Sequence, residues 1–551
     1  MKKEITPWQR FVNLLKLDKR DIRQIFYYAI FSGLVALTLP LGIQAIINLI
    51  QGAEVSTSWI VLVVLVTLGV AFQGILQLMQ IRILENIQQK IFTRSSFEFA
   101  YRFPKIKSSA LRNYYPPELA NRFFDTLTVQ KGLSKILLDF PSAILQIFFG
   151  LILLSLYHPF FIIYGLLLVI LVYLVFNFTA RKGLVSSLYE SKSKYAVANW
   201  LQEIARSLTS FKLSGRTSLA MERNNKLTEN YLEARESHFK ILMLQFIQMV
   251  GFKVLVTAGL LLIGGLLVLN QEMNIGQFVA AEIIIILVIN SVEKLVTGLE
   301  SFYDVLTSLE KIGEIVDKKL EPQDGVDPFE FYDTATISVE KVSYTKSDGG
   351  SILDNINLKL EPKDRIFIEG PSGSGKSTLL KLISGLIDPT SGTIYINDFS
   401  FKGMQISAYR SQVGQVLPEQ MPFEGTIFEN ITFGNKEITL DTVNHIIREI
   451  GLQEFVRKKP KGIDSPIFAQ GQRIPHTVSK RILLARAIVH NPKILILKDA
   501  LEHFEAQEAE RLMEYLAHPD RPWLLIVSGQ NENWKKVCNK HFKLINGRFT
   551  S

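Results

Sequence analysis

Thiols are almost missing from this chain: Cys538 is the only cysteine among 551 residues. No internal disulfide or cysteine-based metal cluster can form, and a lone cysteine reads as packing. A large excess of one charge sign is missing too, with 61 Lys and Arg against 52 Asp and Glu and a net charge of +9. The surplus lies beside hydrophobic runs and makes no single basic face with interleaved aromatics, so no nucleic-acid partner is expected and the charge reads as membrane topology. A uniform mixture of residues is lacking as well, since 48% are hydrophobic and 21% charged at a mean hydropathy of +0.19. Apolar and charged stretches must then be segregated, as in a chain half in the membrane and half in water. The length exceeds one compact domain.

Runs long enough to cross a bilayer, about 20 residues each, fall at 25–50, 59–83, 136–157, 159–178, 241–269 and 278–296. Stretches such as "SAILQIFFGLILLSLY" lack charge over most of a membrane width, which argues against buried helices of a soluble core. The first run is too long for a signal-peptide core and has no small-residue cleavage site behind it, so it is expected to remain as a span. Lys and Arg accumulate on the cytoplasmic side of membranes. The loops 51–58 and 270–277 and His158 offer neither, whereas 85–132 and 180–240 carry many, Lys90, Arg94, Arg181 and Lys182 among them. Both termini are therefore expected in the cytoplasm. Of the charges within the runs, Glu282 is the clearest functional candidate: it faces a water-filled cavity or, equally, makes a hydrogen bond between helices. Lys253 and Asp139 fall near the inner boundary, where snorkelling accounts for them.

After the polar linker "VDKKLEPQDGVDP" the pattern changes to alternating strands such as "ATISVEKVSY", which predicts a domain boundary near residue 330. The stretch "DRIFIEGPSGSGKSTLLKLISGL" then reads as a buried strand, a glycine-rich turn and an amphipathic helix. Its turn is the phosphate-binding loop Gly370, Pro371, Ser372, Gly373, Ser374, Gly375, Lys376, Ser377, followed by Thr378. Glycines let backbone N–H groups close around phosphates, and the helix start opposes their charge. Lys376 reaches the β/γ-phosphates, and Ser377 is the candidate ligand for Mg²⁺.

With that loop in place, nearly the whole chain resembles a half-transporter of the ABC exporter family. "SKRILLARAIVHNPKILIL" is similar to the family's helix and strand between its signature and second nucleotide motif. "YYPPELANRF" resembles the segment after the first coupling helix, and "NWLQEIARSLTSFKLSGR" the region around the second. Tyr344 matches the aromatic on which the family stacks adenine, with packing as the bland alternative. The resemblance implies a membrane all-α six-helix exporter domain plus an α/β P-loop nucleotide-binding domain. Its divisions would be an N-terminal cytoplasmic segment at 1–24, the transmembrane domain at 25–310, a linker at 311–334 and the nucleotide-binding domain at 335–551. It also implies ATP, membrane lipid, a second ABC half in a homo- or heterodimer, and an inner-membrane location. The nearest likeness is to type I secretion transporters, whose partners are a periplasmic adaptor and an outer-membrane channel. Only 24 residues precede the first run, so the cysteine-protease domain that some of those carry is not expected.

Five motifs depart from the family pattern. The signature falls on Ile474, Pro475, His476, Thr477 and Val478, without a glycine. The magnesium-associated aspartate falls on Lys498 and the catalytic glutamate on Asp499, leaving Asp499 as a shortened candidate base. A one-residue shift would put Lys498 inside an apolar strand, whose successive residues face opposite ways. The following loop reads Glu502, His503, Phe504, Glu505; the switch glutamine falls on Pro418, with Gln415 and Gln420 near, and the switch histidine on Gly529. Without a placed base or water-orienting group, hydrolysis is expected to be weak or absent. Lys498 is counted among the nucleotide-binding residues, with Mg²⁺ an optional cofactor. A non-transporting scaffold or nucleotide-gated regulator is the alternative reading.

Overall fold

Long uncharged runs saturate their backbone hydrogen bonds internally only as helices, and helices are what they form. The computed structural model of the chain describes residues 5–51, 57–112, 114–346 and 349–550, without the side chains of 174–178 and 180. It divides into two units, Met1–Lys105 with Asn113–Lys318, and Ile106–Arg112 with Lys319–Ser551.

In the first unit, five of the six expected runs lie in helical stretches long and apolar enough to cross a membrane: Lys19–Gln51, Thr57–Lys105, Pro116–Ser155, Leu219–Leu269 and Ile275–Val316. The remaining run opens the helix Phe160–Arg206 and is apolar through Tyr173; beyond that, side chains 174–178 lie outside the described residues. So do 52–56 of the expected loop 51–58. The first run breaks at Leu37, between helices Lys19–Ala36 and Thr38–Gln51, three residues before Pro40. Leu154, Phe161, Met249, Phe252, Ile284 and Val288 form one buried cluster. Gly150 lets two helices close, since a Cβ there would stand 3.2 Å from Val288. Leu65 and Leu68 stay exposed on the outside of their helix, as lipid-facing residues would.

The span charges differ from expectation. Lys253 does not snorkel: its Nζ donates to Glu293 at 2.6 Å, joining helix Leu219–Leu269 to helix Ile275–Val316. Glu293 lies inside the expected run 278–296, and its partner is 40 residues away, beyond the reach of any local sequence pattern. Glu282 is half-buried and makes no hydrogen bond or ion pair among the described residues.

In the second unit an antiparallel sheet runs in the order Ser351–Leu360, Ile337–Thr345, Ser391–Ile396, Phe399–Ser400. A six-stranded sheet follows the order Arg548–Thr550, Lys540–Ile545, Arg365–Glu369, Leu524–Ser528, Ile494–Lys498, Val413–Val416. All its pairs are parallel except the first. Alternation assigns its residues to two cores: Ile366, Ile368, Ile494, Ile496 and Ile526 pack with Leu379 and Leu380, whereas Phe367, Leu495, Leu497, Leu525 and Val527 pack on the other face. A sheet buried on both sides produces the unbroken apolar strands seen in the sequence. Cys538 is buried beside the second of these cores.

Candidate nucleotide site

Strand Arg365–Glu369 ends in the middle of its sheet and delivers the chain into a turn with positive φ at Gly370, Gly373 and Gly375. Two of these admit no side chain: a Cβ on Gly370 would lie 2.1 Å from the carbonyl oxygen of Leu544, and one on Gly375 2.7 Å from Leu353. Helix Lys376–Ile383 starts directly after Gly375. Lys376 folds back over the loop, its Nζ donating to the carbonyls of Gly370 at 2.6 Å and Pro371 at 2.8 Å and to Ser374 Oγ at 3.4 Å. Ser374 is buried, Ser377 and Thr378 are half-buried, and Pro371, Ser372 and Gly373 lie exposed at the mouth. A glycine cradle, a helix start and a lysine suit the polyphosphate of ATP.

The alternation that buries Ile494 and Ile496 beside the loop's helix also puts the next residue of that parity, Lys498, on the same side. Its Nζ donates to Ser377 Oγ at 2.6 Å and lies 3.6 Å from Asp499 Oδ2. Ser377 therefore does not fit a magnesium ion: an ammonium occupies its hydroxyl, and no carboxylate stands where Lys498 does. Burial, and then the charge of Lys498, pull the Lys376 ammonium below the usual lysine range, with Asp499 opposing.

Asp499 has a left-handed φ of 49° and donates its backbone N–H to the carbonyl of Ser528 at 3.0 Å. A Cβ on Gly529 would stand 3.4 Å from Asp499 Oδ1, so Gly529 flanks the candidate base but offers it no side chain. Burial, and then a hydrogen bond with Asp499, raise the Glu502 carboxyl above the usual range. Lys480 lies nearby, 5% exposed, without a side-chain hydrogen bond or ion pair among the described residues. Burial lowers its ammonium against the pull of Asp499, Glu502 and Glu419. The sequence offers no sign of this, since Lys480 reads as an ordinary helix lysine.

Helix His476–Ile488 begins inside the glycine-free segment, and the His476 ring meets the His503 ring edge-on at 4.6 Å between centroids. Of the two glutamines near Pro418, Gln420 Oε1 accepts from the Leu417 backbone N–H at 3.0 Å. Gln415 leaves a buried amide oxygen without a hydrogen-bond partner among the described residues, on the face that carries Lys498.

Tyr344 stands one strand from the loop, paired with Leu353. Its ring belongs to the buried core and is 8% exposed, which leaves little of the stacking face that the resemblance implied. Its hydroxyl accepts from Arg112 Nη2 at 3.0 Å. Nothing in the sequence linked these residues, which are 232 positions apart.

Comparison with known proteins bears on the family and the fold. The family description "ABC transporter transmembrane region" matches residues 24–292, and "ABC transporter" matches 353–502. The α-hemolysin translocation ATP-binding protein HlyB of Escherichia coli O157:H7 is 29% identical over 304 residues, 55% of this chain and 43% of that protein. A putative export ATP-binding/permease protein of Rickettsia bellii is 28% identical over 60% of this chain and 58% of its own length. An ATP-dependent lipid A-core flippase of Burkholderia thailandensis is 30% identical over 44% and 41%. The chain thus spans about half the length of these curated relatives. A bacterial Atm1-family ABC exporter solved with ATP bound shares the fold, with a TM-score of 0.84 over 97% of this chain and 94% of that one at 16% identity.

Proposed function

The chain belongs to the ABC transporter family as an exporter-type half-transporter that carries a transmembrane region and an ATP-binding cassette, and from that premise we propose a specific division of labour. It binds ATP, pairs with a second ABC half, identical or different, and transmits cassette closure to its spans to move cargo outward. Its own hydrolysis is weak or absent. The transmembrane domain is 25–310, the linker 311–334 and the cassette 335–551, with both termini and the cassette on the cytoplasmic side of the inner membrane. The likeness to HlyB, whose name describes translocation of α-hemolysin, supports a secretion role, for which a periplasmic adaptor and an outer-membrane channel are the partners proposed.

One observation carries this reading: the contact of Lys498 with Ser377 at 2.6 Å. Two charges about 4 Å apart interact by roughly 4 kcal/mol at the effective dielectric near a protein surface. An ammonium there attracts the β/γ-phosphates and repels a divalent cation, so nucleotide is held without the ion that polarises the bond to be broken. Asp499 is a weak substitute base, since it is shorter by a methylene than the glutamate it replaces.

The same rebuilt centre suits a scaffold or regulator that closes on ATP and moves no cargo. Purified chain in vesicles, alone and with any co-purifying ABC half, separates the two by cargo movement. Little ATP turnover is expected from the chain alone, and robust turnover would overturn the reading of Lys498 and Asp499.

A further inference from the structure

The segment Ile106–Arg112 belongs to the second unit. It is tied there by a bridge between Ile106 and Leu320, by the Lys107 N–H donating to the Lys319 carbonyl at 2.9 Å, and by an ion pair of Lys107 with Asp388 at 2.6 Å. The short helix Ser108–Leu111 then presents Arg112 to Tyr344. Arg112 is exposed, and the Tyr344 hydroxyl is its only side-chain hydrogen-bond partner among the described residues; it has no ion-pair partner there. A guanidinium has five N–H donors, so most of its capacity is unused. Its central carbon lies 5.6 Å from the centre of the Tyr344 ring. The guanidinium thus sits toward the hydroxyl edge of the ring.

The strand partner of Tyr344 is Leu353, which packs where a Cβ on Gly375 would be. A nucleotide whose phosphates lie on 370–377 would bring its base and ribose to the region of Tyr344. Tyr344 is too buried to hold a base alone. The guanidinium beside it, bonded among the described residues to the Tyr344 hydroxyl alone, supplies donors for ring nitrogens and ribose oxygens, a planar surface for stacking, and a charge that complements the nucleotide. A cavity of about 410 Å³ bounded by Lys107, Arg112, Glu321, Asp388 and Arg410 gives the side chain room to move.

Building on the ATP-binding reading above, we propose that Arg112 is a nucleotide-contacting residue that recognises the base and ribose end of ATP. Nucleotide binding exchanges its bond to Tyr344 for contacts with the ligand. In sequence the segment lies between the helices Thr57–Arg102 and Pro116–Ala120, so nucleotide occupancy would be felt directly by the link between two membrane-domain helices.

The full-length chain in detergent, titrated with ATP and separately with inorganic tripolyphosphate, tests this. Arg112→Ala should weaken ATP about tenfold, the scale of one charge-assisted hydrogen bond, and leave tripolyphosphate unchanged; Arg112→Lys should fall between. Tyr344→Phe, which keeps the ring and removes the bond that nucleotide binding must break, should bind ATP at least as tightly as the unmodified chain does. If Arg112→Ala binds ATP equally or more tightly, or if Tyr344→Phe reproduces its loss, the inference is wrong. Failure of the underlying reading has a different signature: the unmodified chain would bind neither probe, or Lys376→Ala would bind both as well as the unmodified chain does.

Discussion

Lys498 holds the hydroxyl of Ser377 through its ammonium at 2.6 Å, so the oxygen a magnesium ion would need already has a positively charged partner. Binding of a fluorescent ATP analogue should therefore change less than about threefold between excess Mg²⁺ and excess chelator. Lys498→Asp, shown to be folded, should become Mg²⁺-dependent. Loss of most binding when the metal is removed from the unmodified chain would mean that Ser377 still holds a working site.

Lys480 gives a pH prediction. Its folded-state ammonium lies below the ordinary lysine value because burial outweighs the carboxylates around it. A depressed folded pKa adds stability above the unfolded pKa, and that stability is lost as pH falls through the folded one. At neutral pH the protonated form is therefore a liability. Lys480→Met should raise the melting temperature of the chain at pH 7, and its advantage should shrink as pH climbs toward the lysine range. A constant advantage, or a lower melting temperature at pH 7, would show that the ammonium is paired in solution.

The ion pair of Lys253 with Glu293 should reveal itself by non-additivity. Each side chain is about one-third exposed, so the coupling should be modest, about 1 kcal/mol. Lys253→Met and Glu293→Gln should each lower thermal stability in detergent. The double variant should lose less than the sum, and strict additivity would place the two groups apart in the membrane.

Glu282, half-buried and without a partner among the described residues, should line a cavity between paired halves. A cysteine at 282 should react with a water-soluble maleimide in at least one nucleotide state. Reaction with lipid-soluble reagents alone, in every state, would assign Glu282 to a helix contact instead.

The phosphate loop was legible because everything it needs is contiguous: a strand, glycines at the left-handed positions and a lysine within eight residues. The spans were legible because few other structures require such long uncharged runs. The ungapped resemblance to the family put Lys498 where the magnesium-associated aspartate falls, and its side chain is found on the face that carries the loop's helix. Hidden from the sequence were relations between distant residues: Arg112 with Tyr344, Lys253 with Glu293, and the burial of Lys480. Each involves a side chain that looks like any solvated or interfacial charge until the fold supplies its neighbours.

Cys538 has a practical consequence. Its side chain is 7% exposed, and burial pushes its thiol up to about 12 against the opposing charge of Arg365. Thiolate, the reactive form, is then vanishingly rare at neutral pH. The natural chain is its own unlabelled background, and a spin label or fluorophore placed at a single introduced cysteine should report from that position without first deleting a native one.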